Sequence, residues 1–163
     1  MTSTLLHRAL AGLTALLALA GPAAAGDAPY SLPIFDAHLH YNREPEPRLP
    51  ERGVADLLGR AGVTGILANS RPNDGTRALL ATPPAGVTIV PFLRPYRNRA
   101  DVQTWFRDPS IVPFVEEELR RARYRGLGEF HVFGAGATTD IVKDLVLLAE
   151  QRGLMLFAHC DEE

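Results

Sequence analysis

Short aliphatic runs alternate along the chain with segments whose apolar residues recur at helical spacing, and this alternation predicts βα units arranged around a parallel sheet. Five strands are expected, over Ile34 to His40, Val63 to Asn69, Val87 to Leu93, Gly126 to His131 and Leu154 to His159, each bounded by glycine, proline or polar residues. Val54, Leu57, Leu58 and Ala61 fall at i, i+3, i+4 and i+7, the stripe of a helix with one buried face, and Gly62 stands where a left-handed cap would end it. Ile141, Leu145, Leu148 and Arg152 repeat that spacing, with Thr139 or Asp140 to cap the start and Gly153 to stop the helix before the last strand. A third helix is predicted over Val115 to Tyr124, where acids lead and arginines follow in the order that complements the helix dipole. Tyr41 to Pro50 and Ser70 to Gly75, rich in proline, asparagine and charge, are expected to be βα loops.

The first residues follow another pattern. Arg8 precedes an apolar run from Ala9 to Ala20, Gly21-Pro22 breaks it, and Ala23-Ala24-Ala25 offers small residues for cleavage, which is the layout of a secretory signal peptide over residues 1–25. The run is shorter than the roughly 20 apolar residues of a spanning helix, and no cysteine follows the cleavage site to carry lipid, so an exported, periplasmic or secreted chain without a membrane anchor is expected. Removing residues 1–25 takes away Arg8 and no acid, so the formal net charge of -2 becomes -3. A mildly acidic chain does not suit a nucleic-acid partner, which calls for a basic stripe. Cys160 is the single cysteine, so no internal disulfide is possible, and the 46% of hydrophobic residues must supply the core.

Candidate chemistry gathers at the strand ends. In Asp36-Ala37-His38-Leu39-His40, strict alternation puts Asp36, His38 and His40 on one face and Phe35, Ala37 and Leu39 on the other. Two imidazoles one strand repeat apart can converge on one cation; an isolated pair of this kind is as readily a core histidine and a loop histidine. Gly126-Leu127-Gly128-Glu129-Phe130-His131 ends a strand with a carboxylate and an imidazole on one face, and an ionised carboxylate in such a place needs a cation or an arginine, with Arg94 and Arg97 the alternatives to metal. The last strand is apolar until His159. Parallel sheets and barrels collect function outside the carboxyl ends of their strands, which would bring His38, His40, Glu129 and His159 to one rim.

On the His-x-His of Phe35 to His40, the Gly-Leu-Gly-Glu-Phe-His of the fourth strand and the strand-terminal Ala158-His159, the chain resembles the amidohydrolase superfamily, near its amidohydrolase-related and TatD-like members. The resemblance implies an α/β fold of the (β/α)8 TIM type, here incomplete with about five βα units over residues 26–163, because a whole barrel takes about 250 residues. It implies one or two divalent ions, zinc foremost, with His38 and His40 on one, Glu129 bridging and His159 on the second. Glu129 and His131 are the candidate catalytic residues, and His131 is either an outer partner or faces the substrate. The implied activity is hydrolysis of an amide, ester, lactone or phosphoester in a small molecule by metal-activated water. Members of that family draw a further histidine and an aspartate from later strands, so this chain is expected to be inactive by itself and to self-associate through open sheet edges. The alternative is a noncatalytic exported metal-binding remnant or interaction module. Asp36, Asn69, Arg94 and Asp161, near strand ends, are assigned to structural hydrogen bonds or ion pairs, although arginines at the rim would suit an anionic substrate. No Gly-x-Ser-x-Gly elbow, P-loop or dinucleotide fingerprint occurs.

Overall fold

A computed structural model describes residues 31–43 and 49–160. The expected signal peptide at 1–25 and Asp161 lie outside the described residues, and so does the middle of the loop over 41–50. Leu32–Glu163 forms one compact unit. Its strands are β1 (Ile34–His40), β2 (Val63–Asn69), β3 (Thr88–Leu93), β4 (Gly126–Val132) and β5 (Met155–Cys160), and the helices between them are α1 (Glu51–Arg60), α2 (Asp74–Ala81), α3 (Ile111–Arg121) and α4 (Asp140–Arg152). All neighbouring strands pair in parallel, in the sequential order β1-β2-β3-β4-β5. With right-handed crossovers, a sheet that never reverses its strand order keeps every helix on one side and curls away from them. The result is a curled half-barrel of α/β type.

The helix-facing side carries the packing. Leu93, Leu127, Phe130 and Val132 meet Ile111, Val115, Val142, Leu145 and Leu148 in one buried cluster that also takes Tyr96, Trp105 and Phe106. Ile66 and Ala68 meet Val54, Leu58 and Leu79 in a second. Gly153, at φ 61°, ends α4 as expected, and Gly62, at φ 72°, follows α1 in the same role. Leu57, placed by its spacing in the buried stripe of α1, is instead 52% exposed.

Two helices depart from the expectation. α3 begins four residues early because Pro113 falls in its first turn, where the missing N–H has no intrahelical partner to lose. α2 begins at Asp74, inside the stretch from Ser70 to Gly75 that is expected to be loop for its proline, asparagine and charge. Its start is capped from outside: Ser70 Oγ accepts the Thr76 N–H at 2.7 Å and lies 2.9 Å from the Thr76 hydroxyl. Gly75 is required there, because a Cβ would run into the Tyr41 carbonyl and the Ser70 side chain.

Strict alternation fails at two places, and both matter for the site. On β1 the register to β2 shifts between Asp36 and Leu39, so Phe35 and His40 share the open face and the Phe35 ring lies where a Cβ of Gly65 would stand. Phe35 is therefore not on the helix side, and it is 53% exposed. On β4 a shift between Gly128 and Phe130 sets Leu127 and Phe130 in the helix-facing core and leaves Glu129 and His131 together on the open side.

Candidate metal centre

The open face is built in layers. Its floor is aromatic: Phe92 and Phe157 meet edge to face at 6.2 Å, and His38 stands over Phe157 at 4.7 Å. Gly126 admits the Phe92 ring, and Gly128, at φ 133°, admits the backbone of β5, since a Cβ at either position would collide. Above the floor, at the carboxyl ends of the strands, Glu129 is the hub. Its Oε2 lies 3.1 Å from His40 Nε2 and 3.3 Å from His38 Nε2, and its Oε1 lies 2.8 Å from His159 Nδ1 and 4.0 Å from His131 Nε2. The structure thus brings together the five candidate metal-ligating and catalytic residues, with His38, His40, His131 and His159 gathered around the Glu129 carboxylate.

They form two groups of three, His38–His40–Glu129 and Glu129–His131–His159, each with its ligand atoms within 4.8 Å of one another. His38 and His40 point their Nε2 atoms at each other across 2.7 Å. Two imidazoles on one tetrahedral zinc, at about 2.0–2.1 Å each, hold their nitrogens about 3.3 Å apart, so the first group must open by about half an ångström to take one. In the second group the His131 and His159 rings stack at 4.4 Å between centroids, and stacked rings must tilt before both nitrogens address one ion. The donor set of imidazole and carboxylate suits zinc and similar divalent ions, and the arrangement fits such a group after these small movements.

Glu129 also takes the arginine that the sequence offered as the alternative to metal. Arg94, 2% exposed, donates from Nε to the Glu129 carbonyl at 2.9 Å, from NH2 to Oε2 at 3.5 Å and from NH1 to His40 Nδ1 at 3.1 Å. Burial pushes the Glu129 carboxyl up, but the His159 hydrogen bond and the Arg94 and His40 charges outweigh it and hold the group below the ordinary carboxylate range. Burial, with Arg94 beside it, holds His40 below the usual imidazole value. Of the two arginines considered for an anionic substrate, Arg94 is enclosed, and Arg97, although its side chain is 38% exposed, is bound to Asp101 and Asp108. Asp36 accepts the His38 N–H at 3.0 Å, a local structural bond of the kind expected of it.

The positioning residues were harder to see in the sequence. Asn73 clamps the end of β3, donating from Nδ2 to the Arg94 carbonyl and accepting the Arg94 N–H, both at 2.9 Å. His131 is held by its backbone, its N–H donating to the Tyr96 hydroxyl at 2.7 Å and its carbonyl accepting from Trp105 Nε1 at 2.9 Å. Asn69, assigned from sequence to structural hydrogen bonding, does not show it: the side chain is fully buried and neither amide atom has a partner among the described residues. A buried group left so costs about 1–3 kcal/mol. No family model, curated protein or solved structure matches the chain.

Proposed function

We propose that the chain is a metal-dependent hydrolase of the amidohydrolase type on a TIM-like barrel scaffold, exported, and acting on an amide, ester, lactone or phosphoester bond of a small molecule. The observation that carries this reading is Glu129: one enclosed carboxylate with three imidazoles within 3.3 Å and a fourth at 4.0 Å. A divalent ion held there supplies Lewis acidity, making water a better nucleophile at neutral pH and polarising the oxygen of the scissile group. The residues do the rest. His38 and His40 would hold the ion, Glu129 and His159 would take the proton of the attacking water at their 2.8 Å contact, and that same proton would pass through His131, whose Nε2 lies 4.0 Å from Glu129 Oε1, to the leaving atom. Water adds across the broken bond and the site ends in its starting protonation state.

The second reading, a metal-binding module without turnover, is favoured by Arg94, whose guanidinium is enclosed and paired with Glu129 and so is not offered to an anionic substrate group. One experiment separates the two. The full chain is stripped with chelator, reloaded with zinc, cobalt or manganese, and its metal content counted beside that of a His38→Ala/His40→Ala variant, followed by turnover assays on the four bond classes. The proposal expects stoichiometric metal that falls in the variant, and hydrolysis in at least one class only where a histidine and an aspartate of the kind the resemblance draws from later strands complete the site. Metal without turnover favours the module, and no metal at micromolar free zinc removes both.

A further inference from the structure

The hydrogen bond between Arg94 and His40 runs the wrong way for a ligand. A guanidinium only donates, so His40 Nδ1 accepts from Arg94 NH1 at 3.1 Å. A neutral imidazole that accepts at Nδ1 carries its proton on Nε2, the atom turned toward His38 Nε2 at 2.7 Å and Glu129 Oε2 at 3.1 Å. An imidazole that binds a cation through Nε2 has its proton on Nδ1 instead, and donates it to a carboxylate or a carbonyl. Arg94 cannot be that acceptor.

Asn69 can. It is the register partner of His40 on the neighbouring strand, and registered residues of a parallel pair point to the same face. Alternation agrees: Ala68 lies in the helix-facing core with Leu39 packed against its cluster, so Asn69 faces the open side with His40. Arg94 reaches from β3 to His40 on β1 and so passes over the end of β2, which accounts for the complete burial of Asn69 on the otherwise open face. Both of its amide atoms are enclosed and without a partner among the described residues. A carbonyl oxygen with nothing to accept stands beside an imidazole that needs an acceptor once it ligates.

We infer that Asn69 is the positioning residue for His40 in the cation-bound site, its Oδ1 taking the Nδ1 proton in place of the Arg94 contact. The inference rests on the metal-centre reading, and it assigns the two residues opposed effects: Asn69 favours the cation at His38 and His40, and Arg94 disfavours it.

The test is zinc affinity of the full chain, measured by competition with a chromophoric chelator, for wild type, Asn69→Leu, Asn69→Asp and Arg94→Met, with thermal unfolding of each chelator-treated protein alongside. Asn69→Leu, near in volume but without an acceptor, should bind zinc about 10–100-fold more weakly, the usual loss for an outer partner of a ligating histidine. Asn69→Asp, which keeps an acceptor, should bind at least as tightly as wild type, and Arg94→Met should bind more tightly. Equal affinity in wild type and Asn69→Leu overturns the inference and leaves the metal centre standing; equal losses in Asn69→Leu and Asn69→Asp overturn it too, because packing rather than an acceptor would then be at issue. Absence of zinc binding in wild type overturns the metal centre itself. A second measurement needs no variant and covers a failure of Asn69→Leu to fold. In long-range proton–nitrogen spectra, His40 should carry its proton on Nδ1 in zinc-loaded protein and on Nε2 in chelator-treated protein, and a proton on Nε2 in both overturns the inference.

Discussion

Replacing Glu129 with glutamine should destabilise the protein even with metal excluded, because Arg94 would keep its charge and lose its counter-ion in a place where neither group meets solvent: the side chains are 4% and 2% exposed. Breaking a buried pair by removing one partner costs about 3–5 kcal/mol. Arg94 retains its bonds to the Glu129 carbonyl and to His40, so the lower end, about 3 kcal/mol, is expected. For a chain of this size that is a fall of about 10 °C in Tm. Urea unfolding in chelator at pH 7 measures it directly. The pH dependence supplies a second check. The folded Glu129 carboxyl lies below its unfolded value of 4.5, so its contribution is complete above that pH and is lost as pH falls through the folded value; the gap between wild type and variant should hold near neutrality and close in acid. Glu129→Leu combined with Arg94→Met should recover most of the loss, since an apolar replacement of a buried pair is neutral or better. A loss below about 1 kcal/mol in Glu129→Gln would refute the reasoning, because Arg94 would then have to be solvated or balanced elsewhere.

Trp105→Ala should cost about 3–5 kcal/mol, as Trp105 is 1% exposed against Tyr96, Phe106 and Phe130, and Trp105→Phe should lose less while removing the Trp105 Nε1 donor to the His131 carbonyl; urea midpoints of the two variants rank them. Gly128→Ala should cost more than about 2 kcal/mol and lower zinc content as well, because a side chain is strained at φ 133° and its Cβ would strike the Phe157 carbonyl beside Glu129; unchanged unfolding would contradict the close approach of β4 and β5. Phenolate absorbance in alkali should lag behind that of free tyrosine, since burial pushes Tyr124 up to about 12 and also raises Tyr96 and Tyr41. Between pH 10 and 12 the unfolded chain gives up the Tyr124 proton that the folded chain keeps, so stability should fall with rising pH across that window.

The strands and most helices were legible because burial on one face writes a period into the sequence. Ile66 and Ala68, or Leu145 and Leu148, are aliphatic because they pack, and their spacing survives any local irregularity. The site was legible in residue type for a related reason: histidines and a glutamate at the ends of apolar runs have no packing role to explain them. What could not be read is register. A shift of one residue on β1 and another on β4 changes which side chain faces which way without changing composition, and that is how Phe35 reached the open face. α2 was hidden because its cap, Ser70, stands six residues before the Thr76 that it serves. Asn73 and Tyr96 act on residues far along the chain, through Arg94 and His131, and no short-range pattern marks such pairs.

Stability alone does not account for what occupies the open face. The helix-facing side already holds the sheet with aliphatic and aromatic contacts, and a buried ion pair is no more stabilising than hydrocarbon of the same volume. Glu129 and Arg94 nevertheless stand enclosed together, with an unpartnered Asn69 beside them, at the ends of strands whose two irregularities both serve to turn polar groups inward. A sheet selected for stability would fill these positions with valine and isoleucine and keep its register. The combination of one carboxylate, four imidazoles and a competing guanidinium makes sense when the cost in stability is offset by what the cluster holds, and a cation would meet the requirement of several members at once: it would take lone pairs of His38 and His40, share Glu129, and shift the His40 proton from Nε2 to Nδ1, where Asn69 can accept it.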